Sequence, residues 1–416
     1  MILRTARTLS QRVVHRLRFD PGDLLPATGR MLKLVARRAA MAAANRALDR
    51  SHGYIEHFGV HRARNNAGDT VLFDSVERLF DSELGPFRWR LSQLRLEVKP
   101  DHVERINRSA RAVLVGGGGL FTADSNPNPE SGWQWRISLE NLRQLQPPLI
   151  LFAVGYNQFR NAESFNAVFE SHLQETVRKS VFVGLRNSGS IERVREHLPE
   201  ELHAKVTFQP CMTTVLNRYY PAARPQGRPD PRDIAVNLAF DRREKRFGTR
   251  EEEVLSGIAR ALRHAISRGY RLHAAVHAWD DDPMVEFFRR ERIPVVIRRL
   301  NLDAPEEVVR FYAGMPLTIG MRGHSQMIPF GCGNAIFSII SHEKMRYFLE
   351  DIGEPGWGAD VQDPEMLDKI VGFIDRFEGA QDEIAESIAA TQRELWEVTQ
   401  ANLRAIGARL HAERDR

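Results

Sequence analysis

Near the end of the chain, "GMRGHSQMIPFGCGNAIFSIISHEK" brings an arginine, a histidine and a lysine into one short region as Arg322, His324 and Lys344. Arg322 and His324 follow the apolar, strand-length run Leu317 to Gly320 and precede a helix beginning near His324. A guanidinium offers a planar fork to a carboxylate or phosphate, and an imidazole gives or takes a proton near neutrality. Setting both at the lip of an apolar core is costly unless a ligand or partner compensates them. The N-terminus of the helix adds its free N–H groups to the same place. Lys344 opens the helix after the strand Ile336 to Ile340, and so returns to the same edge. In "VFVGLRNSGSIERV", Arg186 likewise ends a buried strand, ahead of a serine-capped helix. Together these residue types suit a phosphate-bearing anion with a proton moved beside it.

Three further stretches border such a site. "AVLVGGGGLF", residues 112–121, is a strand running into four glycines, of which Gly117, Gly118 and Gly119 would let the backbone approach an anion or a sugar closely. The run lacks the G-x-G-x-x-G spacing of a dinucleotide fingerprint and the Gly-Lys-Ser/Thr of a P-loop. In "NNAGD", Asp69 is placed to cap the following amphipathic helix, which leaves Asn66 and Gly68 to line the cleft. "FAVGYNQF" offers Tyr156, Asn157 and Gln158 to an acceptor.

These segments need a scaffold. At 416 residues the chain exceeds a single ordinary core, which predicts two domains. No apolar run approaches the roughly 18 residues of a membrane span. The two cysteines, Cys211 and Cys332, have neither metal-ligand spacing nor the number for a disulfide framework, which fits a reducing, intracellular setting with no metal. The net charge of +5 is unevenly spread: residues 1–50 hold eleven Lys/Arg against three Asp/Glu, so the body is close to neutral. That excludes a nucleic-acid-binding body, which would carry the basic face itself. The arm at 1–50 reads as a basic helical extension; it either packs on the body, meets anionic lipid as a peripheral contact, or serves as a transit peptide.

From residue 53 onward, short apolar runs alternate with amphipathic ones, the pattern of parallel sheets with crossover helices. Strands are expected at 112–115, 149–153, 181–185 and 205–208, with helices at 162–178 and 190–197. Further strands are expected at 234–238, 271–276, 295–297, 317–320 and 336–340, with helices at 251–267 and 305–312. The proline- and glycine-rich stretch 219–233 reads as a linker between an N-terminal α/β domain (53–220, acceptor side) and a C-terminal one (234–362, donor side). Polar helices fill 363–416. The predicted fold is two doubly wound parallel-sheet domains facing a cleft, where ligands bind at the carboxyl ends of the strands.

With these motifs in order, residues 53–355 resemble the polysaccharide pyruvyl transferase family, on "NNAGD", "VLVGGGGLF", "GLRNSGS" and "MRGHSQMIPFGCGNAIFSIISHEKMRYFLEDIG". The resemblance implies a GT-B-like fold. It implies transfer of the pyruvyl unit of phosphoenolpyruvate to sugar hydroxyls, giving a pyruvate ketal and phosphate. Phosphoenolpyruvate would be a co-substrate, with no other cofactor and no metal. By motif position, Arg186 and Arg322 resemble the donor-binding arginines and His324 the essential histidine, with Lys344 a further anion ligand. The sequence departs from the family at Asn187, where an aspartate is usual, and at Cys211, where an acid is usual; both bear on the acceptor side. Two other readings share the architecture. One is a nucleotide-sugar glycosyltransferase, with Glu343 or Glu350 on a ribose. The other is a catalytically silent sugar-binding paralogue.

Overall fold

The computed structural model describes residues 53–59, 66–123, 128–159, 164–225, 227 and 229–412, with scattered helical positions between 29 and 45; most of the basic arm lies outside these. By contact density, Leu48–Arg416 forms one compact body and Met1–Ala47 a separate unit.

Within the body stand two six-stranded sheets. The first comprises β1 (Tyr54–Gly59), β2 (Arg88–Gln93), β3 (Ala110–Phe121), β4 (Leu149–Tyr156), β5 (Ser180–Leu185) and β6 (Val206–Phe208) in the order β2-β1-β3-β4-β5-β6. The second comprises β7 (Asp233–Asn237), β8 (Arg271–Ala275), β9 (Val296–Arg298), β10 (Leu317–Gly320), β11 (Ala335–Ile340) and β12 (Gly358–Asp360) in the order β12-β11-β10-β7-β8-β9. Every pairing is parallel. The central strands are buried on both faces, hence their near-continuous apolar runs. Strand order reverses between β1 and β3 in one sheet and between β7 and β10 in the other, which opens a crevice at each carboxyl edge.

The helices that matter for the site are α1 (Ala67–Leu84) after β1, α2 (Phe169–Lys179) before β5, α3 (Ser188–Arg195) after β5, α4 (Pro305–Ala313) before β10, α5 (His324–Gly331) after β10 and α6 (Glu343–Asp351) after β11. Two helices close the chain: α7 (Met366–Gly379), and α8 (Gln381–Ala412), which lies across both sheets. From α8, Gln392 donates to Phe330 O of the second half (2.5 Å) and Thr214 O of the first (3.4 Å), while Asn402 donates to Phe208 O (2.9 Å).

Several expectations need correction. The glycine run belongs to a strand: β3 continues to Phe121, and β4 supplies partners to Gly116 and Gly118. The helix expected from residue 162 starts at Phe169. Asn66, three residues ahead of Asp69, is the N-cap of α1, its Oδ1 accepting from Gly68 N (2.9 Å) and Asp69 N (3.4 Å). α3 is capped by Asn187, which accepts from Ser190 N (2.7 Å), rather than by a serine. The first part of the 219–233 stretch is packed: Tyr220 and Ala223 are buried, and the Tyr220 hydroxyl donates to Asp74 (2.6 Å). Strands β1, β2 and β12 are additions to the reading.

Candidate active site

All the candidate residues lie at carboxyl edges of strands. β10 delivers Arg322 and His324, β11 delivers His342 and Lys344, β5 delivers Arg186, and β1 leads into α1 with Asn66, Gly68 and Asp69. A backbone hydrogen bond from Ala67 N to His277 O (2.8 Å) docks the start of α1 on the second half. Gly68 then faces His324 so closely that a Cβ would lie 2.5 Å from the His324 Cβ and 2.8 Å from Nδ1. On its other side, His324 Nε2 stands 3.9 Å from the Cys211 thiol, which follows β6. His324 therefore sits between the two sheets, with Gly68 and Cys211 of the first half about its ring. Burial, followed by the nearby Arg186 and Lys344 charges, holds its pKa well below the usual histidine value.

The cations divide into two kinds. Arg322 is paired: its Nε donates to both oxygens of Asp281 (3.0 and 2.9 Å), and its Nη2 reaches Asp281 (2.5 Å) and Asp241 (2.8 Å). Burial works against its charge, but the two carboxylates outweigh this and raise its pKa. Asp281 is fixed in turn by the N–H groups of His277 and Ala278 (both 3.1 Å), and Asp241 by Arg246 (3.0 Å). The surrounding acids thus balance Arg322 and Arg246.

Arg186 and Lys344 are different. Arg186 is 6% exposed, and neither its Nε nor its Nη2 has a hydrogen-bond partner among the described residues. Its side chain crosses the Gly155 backbone at a point where a Cβ would collide with Nε. Burial lowers its pKa, with Cys211 and Asp69 pulling the other way. Lys344 passes over Gly323, whose Cβ would lie 3.6 Å from the lysine Cε; Asp241 attracts it at longer range, but it forms no ion pair with a carboxylate among the described residues. Burial, then repulsion from Arg186 and Arg246, pushes its pKa down to about 7. A buried arginine and a partly buried lysine without carboxylate partners are expensive unless an anion completes them.

Asp69 was read as a cap, and the structure frees it for other work. It lies in the first turn of α1 beside Gly68, its pKa raised by burial against the opposing charges of Arg95, Lys344, Arg322 and Arg186. Asparagine and aspartate cap equally well, and only the start of α1 at Ala67 decides for Asn66. The glycines contribute close packing. Gly117 and Gly118 face Leu72 at 3.1 and 3.3 Å from a built Cβ, and Gly119 is covered by Asn157 at 2.6 Å. Asn157 keeps a buried Oδ1 without a partner. Cys211, expected to bear on the acceptor side, lies beside the histidine. Asn66 acts as a cap. Glu343 pairs with Arg346 (3.1 Å), and Glu350 is exposed.

No helix among the described residues is long and apolar enough to cross a membrane. A "2.2 Angstrom Resolution Crystal Structure of putative UDP-N-acetylglucosamine 2-epimerase" from Listeria monocytogenes is similar in fold, with a TM-score of 0.51 at 11% identity over 81% of this chain and 91% of that one. In sequence, 179 residues are 25% identical to the amylovoran biosynthesis protein AmsJ of Erwinia amylovora; the match covers 39% of this chain and 42% of that relative's length. A sequence profile described as polysaccharide pyruvyl transferase matches residues 41–333, a span that holds Asp69, Arg186, Cys211, Arg322 and His324 at the edges of the two parallel sheets. The chain belongs to the polysaccharide pyruvyl transferase family.

Proposed function

We propose that the protein transfers the pyruvyl group of phosphoenolpyruvate to two hydroxyls of a sugar, in a polysaccharide or its precursor, and releases phosphate. The observation that carries this reading is the pair of cations without carboxylate partners, buried Arg186 and partly buried Lys344, set beside the partly buried imidazole of His324 where the two sheets meet. The donor carries a carboxylate and a phosphate, and it needs one proton delivered to carbon. Arg186 and Lys344 hold the anion, joined by the Nη1 edge of Arg322, which Asp281 and Asp241 leave unused while fixing the guanidinium.

Donor binding neutralises the repulsion that keeps His324 uncharged, so the imidazole gains a proton as the anion arrives. His324 then protonates the methylene carbon while the first sugar hydroxyl attacks the adjacent carbon and yields its proton to Asp69, whose raised pKa suits it to that task. The second hydroxyl attacks the same carbon. The bond from carbon to the phosphate oxygen breaks, phosphate takes up the second proton, and the ketal closes. The donor is the only co-substrate, and no further cofactor takes part. The name of the amylovoran relative supports an exopolysaccharide acceptor. We place the reaction in the cytoplasm, with the basic arm against the anionic inner face of the membrane.

The test is phosphorus NMR of the purified protein with phosphoenolpyruvate and a panel of galactose-, mannose- and glucose-containing acceptors. Acceptor-dependent phosphate release is expected from the wild type and not from His324→Ala or His324→Asn. Full turnover by those variants would refute the role of His324, and consumption of a nucleotide sugar with phosphoenolpyruvate ignored would refute the reaction class.

A further inference from the structure

The chain reaches α6 through His342, a residue that the family's motifs did not single out and that the chemistry above does not use. Its side chain is 1% exposed. It caps α6 by accepting the Lys344 backbone N–H at Nδ1 (3.3 Å). A backbone N–H can only donate, so Nδ1 is bare and the ring hydrogen resides on Nε2. That Nε2–H has no partner among the described residues. Capping by itself calls for a serine, threonine, aspartate or asparagine rather than an imidazole.

The groups facing the ring are almost all positive. Lys344, Arg246, Arg186 and Arg242 act on it electrostatically, and with burial, the larger cause, they hold it neutral. Phe159, from the segment after β4, lies 4.3 Å away across the cleft, with Arg242 and Arg246 over its ring. The nearby carboxylate, Asp241, is already shared by Arg246 and Arg322. Among this many cations, a neutral imidazole is the group that adds a directed donor without adding charge.

We propose that His342 is a further donor-binding residue, its Nε2–H completing with Arg186, Lys344 and the N-terminus of α6 a site for the phosphoryl dianion. The proposal rests on the reading of phosphoenolpyruvate as the donor. It assigns the phosphate to the α6 end of the cleft, because Lys344 lies in the first turn of α6 and Arg186 is near enough to act on the charges of both Lys344 and His342. The carboxylate then turns toward Arg322.

The test is calorimetric titration of the full-length wild type, His342→Asn and His342→Gln with phosphoenolpyruvate, orthophosphate and pyruvate. Asparagine keeps a capping acceptor but is too short to place a donor where Nε2 stands, whereas glutamine can place its amide there. His342→Asn is expected to weaken orthophosphate and phosphoenolpyruvate about ten- to a hundredfold, the value of a hydrogen bond to a charged group, and to leave pyruvate unchanged. His342→Gln is expected to recover most of the loss, and in turnover the defect falls mainly on KM. If His342→Asn does not fold, His342→Gln against wild type decides: phosphate binding within a few-fold of wild type supports the proposal, and a full loss overturns it. Wild-type orthophosphate affinity in His342→Asn overturns it too, as does an equal loss for phosphate and pyruvate. A wild type that binds orthophosphate but not phosphoenolpyruvate refutes the donor reading alone. A wild type that binds neither refutes both.

Discussion

If Lys344 binds the proposed donor, binding is a proton-uptake reaction. In the empty cleft its pKa is pushed down to about 7 by burial, Arg186 and Arg246. At pH 8 the free site therefore carries that proton in about one molecule in ten, while a bound anion requires it in nearly all. Binding at pH 8 should take up about 0.9 proton through Lys344, with His324 adding up to about one more as its charge is restored. Above pH 7.5 the donor's phosphate is fully ionised, and each proton taken up should raise the apparent Kd about tenfold per pH unit, or about 1.4 kcal/mol. Calorimetry in two buffers of different ionisation enthalpy counts the protons directly. Lys344→Met should lower the count by about one, and Lys344→Arg, which keeps its charge throughout, should flatten that part of the pH slope. Wild type taking up no proton at pH 8, or Lys344→Met taking up as many as wild type, would refute the reasoning. The sign for stability follows from the same shift. The folded value lies below the unfolded one of about 10.4, so between about pH 7 and 10 the unfolded chain binds more protons and this group's penalty fades as pH rises.

Asp281→Ala should cost about 3–5 kcal/mol in urea unfolding, because it strips a buried guanidinium of its bidentate partner, and Asp281→Ala with Arg322→Met should recover much of that. Additive single effects in that double-mutant cycle would show that the pair is not coupled. Gly68→Ala should abolish acceptor-dependent phosphate release and lower Tm, since its Cβ would lie 2.5 Å from the His324 Cβ and force the starts of α1 and α5 apart; retained turnover would place the ring elsewhere. Asp351 accepts from Ser188 N (3.2 Å) across the cleft, and burial raises its pKa to about 6. Its folded value exceeds the unfolded one, so it favours folding most below about pH 4 and loses that advantage as pH rises to 6. Asp351→Asn should remove this part of the pH dependence of Tm and leave stability at pH 8 equal or higher; an unchanged profile would contradict the assignment.

The second sheet was largely legible because β7, β8, β10 and β11 are apolar runs buried on both faces, a signal carried locally in the chain. β1 was harder to see, since it buries Glu56 and His57 within a strand of six, and no hydropathy pattern announces that. Arg322 and His324 could be placed from the strand that precedes them. The state of Arg322 could not: Asp241 follows β7 and Asp281 follows β8, and only the order β10-β7-β8 brings them to β10. Asp69 was obscured by local capping chemistry, in which two neighbouring residues compete for one role. His342 had no signal at all, because its meaning depends on an unanswered ring hydrogen that appears only after the fold surrounds it.

The position of α8 in the chain bears on synthesis. Its glutamine and asparagine side chains tie carbonyls of both sheets. As the polypeptide leaves the ribosome, each sheet has all its strands well before this helix emerges, yet the two halves lack their common brace. The crevice is braced only once α8 has emerged, so until then nascent chains present two separate half-sites.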